Sequence, residues 1–347
     1  MSLLAALAGR TPEAPPNQCR HQGQPGHVES YFLRLNHPTR PLALWLKATI
    51  LAPLDGEAVA ESWLAWFDGE QGSTFAHRET MPRGQATFEP RPGGIDVHTN
   101  SLDLSLGPEG SARGELRAPT GTASFALDWT RLPGPPGEPL SLTQSRLLRE
   151  GPIPRFKLLT PFPWLNVSGT LTLRGQRLEI DRWQGMQGHN WGPEHHSEYA
   201  WGQCLFPETK SEPPTMVEGY TLRLKLAGRK TPRISGLVVQ RGDQCLRFGR
   251  VLDLWRQEAT VTRDRWTVRV RGPDGEARLR MDAAGRPMVC LGYPNPDGHL
   301  SYCFNSKLAD VLLEVRPARG PAFTCRSPHG GALEFLRSEP DPALPVV

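Results

Sequence analysis

The chain has 347 residues, a length that favours two domains over one ordinary core. Gly and Pro, at 35 each, are unusually frequent for a helical protein and typical of short strands joined by turns. The formal net charge of +4 is mild, and the 40 Lys and Arg residues are scattered without a basic run that contains aromatics, which excludes nucleic-acid binding as a leading function.

The first residues form no convincing signal peptide, and no stretch approaches the roughly 18 apolar residues that a membrane-spanning helix needs. The 6 cysteines include no CxxC pair and match neither a zinc site nor a dense disulfide framework. The sequence therefore predicts a cytoplasmic protein with reduced thiols and no integral membrane segment. It leaves open the oligomeric state and any peripheral contact with a membrane surface.

Apolar and polar residues alternate with a period of two along most of the chain, which predicts antiparallel strands. In the first half the predicted strands are Glu29–Leu35, Leu42–Ala52, Ala58–Phe67, Thr74–Glu79, Gly94–His98, Ala112–Ala118 and Thr122–Trp129. A Pro-rich stretch from Leu132 to Pro163 then predicts a linker or crossover.

Aromatic residues also gather in the first half, where Trp45, Trp63 and Trp66 lie near Lys47. Trp63 and Trp66 are three positions apart, so in a strand they point to opposite faces. Core packing is the simplest use of these rings, and a ligand contact in a groove between the domains is the alternative.

Predicted strands resume at Leu165 and continue to about Phe335. Leu308–Val315 fits either a strand or a short helix, and Ser338–Val347 is predicted to be a loose tail. We therefore predict an all-β fold of two antiparallel barrel or sandwich domains packed together. Residues 1–150 would form the first domain, ending in the Pro-rich crossover, and residues 151–347 the second.

One segment concentrates the reactive side chains of the chain. Residues 187–202 read QGHNWGPEHHSEYAWG and hold three His, two Glu, two Trp and one Tyr. Such side chains exchange protons or offer a π-face to a cation. Gly residues flank His189 and Trp191 and let the backbone turn sharply or approach another group closely. The candidate active site is therefore placed in this segment.

The Gly188-His189-Asn190-Trp191-Gly192 motif, followed by Ala200-Trp201-Gly202, resembles a lipocalin-related (calycin) group of proteins. This group contains carotenoid 1,2-hydratases (hydroxyneurosporene synthases), tocopherol-cyclase-like proteins and some Diels–Alderases. The order of features is also similar: a barrel, a crossover, the motif and a long second β domain. The resemblance implies two lipocalin-like domains, with the motif early in the second.

In the hydratases of that group the motif His and Trp are proposed site residues, together with a downstream Tyr-x-Asp. His189 and Trp191 match the first pair. The downstream position reads Met216-Val217-Glu218, so the Tyr is absent and Glu replaces Asp. The resemblance implies His189, Trp191 and Glu218 as catalytic residues and an apolar, isoprenoid or polyene-like substrate.

The chemistry of these side chains fits such a reaction. A carboxyl group in an apolar barrel has a raised pKa and can hold the proton that alkene protonation needs. Glu218 is the first candidate for this acid, with Glu194 or Glu198 as alternates. The faces of Trp191 and Trp201 would stabilise the resulting carbocation, by about 1 to 2 kcal/mol when desolvated. His189 would orient the acid or deprotonate a water molecule.

Further residues of the segment are predicted to contact the substrate as wall or orienting groups: Trp201, Tyr199, Asn190 and Glu194. Each candidate also has a structural alternative. Glu218 could be a surface residue on a strand edge, and His189 could be a buried histidine whose hydrogen bonds connect strands. The tryptophans could simply pack in a barrel core.

Metal and cofactor sites are not predicted. The spacing of His189, His195 and His196 matches no standard zinc pattern, and adjacent His residues on a strand point to opposite faces. The chain also lacks a G-x-S-x-G nucleophile motif and a G-x-G-x-x-G loop between a strand and a helix, which removes nucleotide-dependent chemistry as a leading idea.

The sequence thus predicts a cofactor-independent hydratase, isomerase or cyclase that uses acid–base chemistry on a hydrophobic small molecule in a β-barrel cavity. The alternative is a non-catalytic carrier that binds a lipid in the same cavity, and a third hypothesis is an interaction module with filled barrels. A buried carboxyl that lies within hydrogen-bonding reach of His189 and also faces the cavity would favour the enzyme, because a carrier gains nothing from burying a charge there at a cost of several kcal/mol.

Overall fold

The structure, a computed structural model, describes residues 16–132, 140–142, 155–195, 198–223, 225–226, 229–250, 253 and 257–347. This part of the chain forms two large antiparallel sheets and a small two-stranded one. The predicted all-β fold of two packed barrel or sandwich units is confirmed. Within the same residues, no helix has the length and apolar character needed to cross a membrane.

The first sheet has 12 strands, which pair in the order β4-β3-β2-β1-β12-β11-β9-β8-β7-β6-β5, with β10 beside β11. Their bounds are β1 His27–Asn36, β2 Leu42–Ala52, β3 Val59–Asp68, β4 Ser73–Pro82, β5 Thr87–Arg91, β6 Gly94–His98, β7 Leu102–Leu106, β8 Glu109–Ala118, β9 Gly121–Arg131, β10 Leu140–Ser141, β11 Lys157–Leu173 and β12 Gln176–Gly192. Every strand predicted in the first half is present, and the ends of most of them are shifted by a few residues.

The second large sheet has 10 strands, and its main path runs β18-β17-β14-β13-β24-β23-β21-β20-β19, with β22 beside β23. The bounds are β13 Tyr199–Phe206, β14 Thr215–Leu222, β17 Ile234–Arg241, β18 Gln244–Phe248, β19 Glu258–Val261, β20 Arg265–Gly272, β21 Gly275–Asp282, β22 Val289–Pro294, β23 Leu300–Pro317 and β24 Phe323–Arg337. The small sheet pairs β15 Lys225–Leu226 with β16 Arg229–Lys230.

The Pro-rich crossover ends earlier than the sequence predicts. β11 already begins at Lys157 and includes Pro161 and Pro163. Its pairing with β12 shifts register on both sides of Phe162. Such irregularities accommodate proline, which has no N–H to donate to a ladder, and for that reason the alternation pattern misses this part of the strand. Other parts of the predicted crossover, 133–139 and 143–154, lie outside the described residues.

The motif strand β12 lies in the first sheet, between β1 and β11. The resemblance implies instead that the motif opens the second β unit, but the second sheet starts only at β13, with Tyr199. Alternation identifies a strand without identifying its neighbours, so it could not reveal this placement. The domain boundary near residue 150 stays a prediction.

The first sheet buries residues on both faces. Tyr31 and Trp66 point into a core within the first sheet. Phe32 and Trp63, on the opposite face, join Trp201 of the second sheet in an inter-sheet cluster. This cluster, in which the two sheets pack face to face, also contains Trp45, Leu205, Met216, Leu291 and Tyr293. The prediction that Trp63 and Trp66 face opposite sides is confirmed.

Two details of the second half are settled by pairing. Leu308–Val315 lies within strand β23, so the strand alternative is correct. The end of the predicted loose tail is docked: Val347 N–H donates to Cys290 O, and Gly292 N–H donates to Val347 O, each at 2.9 Å. The prediction of a loose tail is therefore wrong at its last residues, because β22 offers them an unpaired edge.

Candidate functional site

His189 is fully buried in the first sheet, and its partner is Glu29 on β1. In the pairing of β1 with β12, Tyr31 lies opposite His189 and Glu29 lies opposite Trp191. Side chains two positions apart share one face of a strand. The side chains of these four residues therefore all point towards the core of the first sheet. His189 Nε2 lies 2.8 Å from Glu29 Oε1, and the His189 and Tyr31 rings stack with centroids 4.4 Å apart.

Both ring nitrogens of His189 face oxygen atoms. Nδ1 lies 2.7 Å from the carbonyl oxygen of Pro16, which can only accept, so Nδ1 carries a proton. The carboxylate of Glu29 receives backbone N–H bonds from Arg20 at 2.9 Å and His21 at 2.8 Å, and the Tyr31 hydroxyl at 2.6 Å. With these donors Glu29 is ionised, and its Oε1 lies within hydrogen-bonding distance of His189 Nε2.

The pKa of Glu29 agrees with this assignment. Burial alone would raise the pKa, but hydrogen bonds from His189, His27 and Tyr31 outweigh it and hold the pKa of Glu29 well below its usual range. A carboxyl of this kind accepts hydrogen bonds and stays charged, and it does not hold a proton for transfer. The Glu29–His189 pair therefore locks β1, β12 and the segment before β1 together.

Trp191 belongs to the same group. Its ring centroid lies 4.6 Å from that of His189, and the guanidinium carbon of Arg20 lies 5.0 Å from the Trp191 ring centroid. The ring thus already stabilises a cation of its own chain. This contact competes with the predicted use of Trp191 as the stabiliser of a substrate carbocation.

Glu218 is the centre of a second buried group, between the sheets. It lies on β14, a strand flanked by β13 and β17, and is 0% exposed, which contradicts the alternative of a surface strand edge. Thr160 Oγ1, on β11 of the first sheet, lies 2.9 and 2.8 Å from its two carboxyl oxygens. Trp201 Nε1 donates to Oε1 at 3.1 Å. We call these three residues the acid site.

Burial raises the pKa of Glu218 to about 7, although the hydrogen bonds of Thr160 and Trp201 and the charge of Arg34 act in the opposite direction. The geometry suits the protonated form. Oε1 accepts from the indole N–H of Trp201, while a proton on Oε2 can be donated to Thr160 Oγ1, so every polar atom is satisfied. The predicted buried carboxyl with a raised pKa is present at Glu218.

His189 and Glu218 belong to different groups. His189 points towards the core of the first sheet, where it contacts Glu29. Glu218 instead contacts Thr160 and Trp201 between the two sheets. His189 and Glu218 share no hydrogen bond among these contacts, so His189 does not orient Glu218 in the way that the sequence predicts. The physical reason is the alternation of β12: odd positions point to one face and even positions to the other.

The motif is connected to the acid site by packing at Gly188. The ring of Phe32 on β1 covers Gly188, and it packs edge to face against Trp201, with ring centroids 6.4 Å apart. Trp201 in turn donates to Glu218. Gly188 thus lets an aromatic ring lie close to β12 and support the indole that holds the acid.

Gly188→Ala is expected to be destabilising, because the added Cβ would lie 2.0 Å from Phe32 Cζ. We expect the free energy of unfolding to fall by about 1 to 3 kcal/mol, as for other overpacked sites. Chemical denaturation measures the change. Gly84→Ala is the control, since its Cβ would meet nothing within 4 Å. Equal midpoints for the two variants would contradict this account of Gly188.

The other predicted contact residues are dispersed. The Tyr199 hydroxyl lies 4.0 Å from Cys303 Sγ on the second sheet. Asn190 points away from His189 on β12, and its Oδ1 is buried without a hydrogen-bond partner among the described residues. The Glu194 side chain is 46% exposed and pairs with Arg155 at 3.2 Å, so it lacks the burial that a raised pKa needs.

The histidines of the segment are not assembled around a metal in the described part of the chain, which contains no group of three or more His, Cys, Asp or Glu suited to one. The His195 ring lies 5.1 Å from the rings of both Phe156 and Tyr293. His196 lies outside the described residues.

Charged residues buried in the first sheet are the main feature that the sequence analysis missed. Arg34 donates to Gln203 Oε1, to Asn36 Oδ1 at 2.9 Å and to the carbonyl of Gly330 at 3.1 Å, and so connects the two sheets. Glu29, Arg34 and Lys47 are charged residues within strands that are buried on both faces. A charge inside such a run was the available signal, since burial of a charge needs a specific partner or a purpose.

No protein-family model matches the chain. Uncharacterized proteins from two strains of Mycobacterium tuberculosis are each 23% identical to it over 307 residues, which cover 85% of this chain and 83% of theirs. These relatives show that the sequence pattern extends over most of the length, and their names give no activity.

Solved structures resemble the chain over nearly its whole length. An AttH-type protein from Nitrosomonas europaea has a TM-score of 0.60 at 14% identity and covers 95% of this chain and 98% of its own. CghA with Sch210972 has a TM-score of 0.58 at 13% identity, covering 90% and 88%. Kievitone hydratase from Nectria haematococca has a TM-score of 0.52 at 12% identity, covering 89% and 88%.

Identities this low show the fold alone. The narrower resemblance to carotenoid hydratases and tocopherol-cyclase-like proteins stays a prediction. The chain has the all-β fold that AttH-type proteins, kievitone hydratase and CghA share.

Proposed function

We propose that the protein is a cofactor-independent acid–base enzyme that hydrates, isomerises or cyclises an apolar alkene, with Glu218 as the general acid. One observation carries the proposal: a fully buried carboxyl whose pKa lies at about 7, held between two sheets by Thr160 and Trp201. A general acid is most effective when its pKa lies near the working pH.

The reaction follows from the contacts of Glu218. The carboxyl gives its proton to one alkene carbon, and the other carbon becomes a carbocation. Addition of water, loss of a neighbouring proton or attack by a second double bond gives hydration, isomerisation or cyclisation respectively. In each case the carboxylate is reprotonated by the proton that the cation or the added water releases. Thr160 and Trp201 donate to the carboxylate as it forms, which stabilises it where charge develops.

The apolar surroundings suit an isoprenoid or polyene-like substrate. The acid site adjoins the inter-sheet cluster, and Phe32 and Trp201 offer aromatic surface to a developing cation. In this proposal Trp201 keeps the cation-stabilising role predicted for both tryptophans, whereas Trp191 does not share it and His189 acts structurally through Glu29. The name of kievitone hydratase and the presence of Sch210972 with CghA support small-molecule chemistry on this fold.

The test is turnover of apolar alkenes in D2O. A panel of a prenylated phenol, an acyclic isoprenoid and a linear polyene is incubated with the purified protein, and the products are analysed by mass spectrometry. We expect one carbon-bound deuterium per turnover, and a loss of about 100-fold or more in rate for Glu218→Gln.

Glu194→Gln is the matched control, because it removes an alternate acid, an exposed carboxylate that is paired with Arg155. Its rate should equal that of the wild type. Binding of a panel member without any conversion would contradict the enzyme and support the carrier hypothesis. Full activity of Glu218→Gln would remove Glu218 from the acid role.

A further inference from the structure

We propose that Lys47 is an amine nucleophile that captures small apolar aldehydes or ketones as imines, in an aromatic box between the sheets. This box consists of Lys47 with Tyr293, Trp63 and Trp45. The inference rests on the surroundings of Lys47 and does not depend on the role of Glu218.

The position of Lys47 on β2 turns its side chain away from the first-sheet core. It lies between Phe32 on β1 and Trp63 on β3 in the cross-strand pairing, and it is 3% exposed. The Nζ atom lies 3.8 Å from the ring centroid of Tyr293, a residue of β22 on the second sheet. The centroids of Trp63 and Trp45 are 5.3 and 5.8 Å away. The amine is thus enclosed by aromatic faces from both sheets.

Among the described residues, no carboxylate forms an ion pair with Lys47. Glu61 is the acidic side chain whose charge acts on it most, but the contacts of Glu61 go to Trp63 Nε1 at 3.1 Å and to Arg78 Nη1 at 3.7 Å. Arg78 also covers Trp63, with its guanidinium carbon 4.9 Å from the ring centroid. The aromatic faces lie within cation–π distance of the ammonium, and the charges of Glu61 and Glu334 also favour its charged form.

Lys307 shows how the same interface buries a lysine for structure. It is 0% exposed, and its Nζ lies 2.5 Å from Glu334 Oε1 in a direct ion pair. Lys47 has no such ion pair among the described residues, so burying its charge costs more than burying that of Lys307. The contrast between the two lysines favours a chemical use for Lys47.

Burial lowers the pKa of Lys47 to about 8, and the charge of Glu61 only partly offsets this effect. About a tenth of the amine is then unprotonated at pH 7, far more than for an ordinary lysine. Nucleophilic lysines that form Schiff bases are activated in this way, by desolvation in an apolar pocket.

The reaction balances without an oxidant or reductant. The lone pair of Nζ attacks the carbonyl carbon, so that a C–N bond forms as the C=O π bond breaks, and the oxygen takes up the two protons that the nitrogen releases. Loss of that oxygen as water leaves an imine, whose nitrogen can be protonated to an iminium. The aromatic faces that now enclose the ammonium would stabilise the iminium as well, because its charge lies at the same atom.

The test is reductive trapping with trans-cinnamaldehyde, an apolar aldehyde, and sodium cyanoborohydride, followed by chymotryptic peptide mass spectrometry. We expect the Lys47 adduct to exceed the Lys307 adduct at least tenfold, and its yield to rise with a midpoint near pH 8. The exposed Lys210 gives the rate of unselective modification.

Lys47→Arg keeps the charge but cannot form an imine, so it should lose the selective adduct while circular dichroism shows an intact fold. Labelling of Lys47 that does not exceed that of Lys307 would overturn the proposal. So would labelling only of exposed lysines such as Lys210. Turnover by Glu218 is read separately, so either proposal can fail while the other stands.

Discussion

Glu29→Leu is expected to lower the free energy of unfolding by about 3 to 5 kcal/mol at neutral pH, because several buried donors lose a shared acceptor and each costs about 1 to 3 kcal/mol. The substitution would leave the fully buried His189 ring without its carboxylate partner. It would also leave the backbone N–H groups of Arg20 and His21 and the Tyr31 hydroxyl without an acceptor. Urea unfolding followed by tryptophan fluorescence measures the loss.

The stabilisation that Glu29 provides should decrease as the pH falls. The pKa of Glu29 is lowered in the folded protein, while the unfolded chain titrates near about 4.3. The stabilisation is therefore fully present above the unfolded value and is lost as the pH falls below about 4. The difference between wild type and Glu29→Leu should narrow over that acid range.

Glu70→Leu is the control for Glu29→Leu, because Glu70 pairs with Arg40 at the surface, where an ion pair contributes little. It should leave the unfolding midpoint nearly unchanged. Glu29→Gln keeps the shape and one acceptor oxygen and should cost less than Glu29→Leu. A Glu29→Leu variant as stable as the wild type would show that His189 is not held by this carboxylate.

Glu218→Gln is expected to have the opposite effect and to make the protein more stable than the wild type at about pH 8. The folded pKa of Glu218 is about 7 against an ordinary value of 4.5, so the folded state retains a proton that the unfolded state releases. Stability therefore falls as the pH rises from about 4.5 to about 7, by at most about 3 kcal/mol at 1.36 kcal/mol per pKa unit.

The amide of Gln can reproduce the contacts of the protonated acid. Its oxygen can accept from Trp201 Nε1, and its NH2 group can donate to Thr160 Oγ1. The stability gain should be largest above pH 7 and vanish below about pH 4.5, as measured by urea unfolding across that range. A wild type that is as stable as Glu218→Gln at pH 8 would contradict the raised pKa of Glu218.

The two carboxyls thus provide a comparison within one molecule. Both are 0% exposed, yet Glu29 is in contact with His189 and with several N–H donors, whereas Glu218 has only the hydroxyl of Thr160 and the indole of Trp201. The first should stabilise the fold when it is charged, and the second should destabilise it. Burial alone does not decide whether a carboxyl is a structural anion or a proton donor; its hydrogen-bonding partners do.

Local pattern was enough to predict most of the strands and one of the central residues. Side-chain alternation has a period of two whatever the partner strand, so it located the strands and placed Trp63 and Trp66 on opposite faces. The motif directed attention to His189 and, through its resemblance to hydratases, to Glu218. Both proved to be fully buried polar residues.

The tertiary structure decided which residues meet. Glu29 and His189 are 160 positions apart, and the pairing of β1 with β12 that joins them places the motif in the first sheet. Thr160 reaches Glu218 only because the two sheets stack. Such contacts depend on strand order and register, which are set by packing between distant segments and leave no local trace in the sequence. The sequence by itself determined the strands and their reactive side chains, whereas the fold determined which carboxyl is charged and which one can hold a proton.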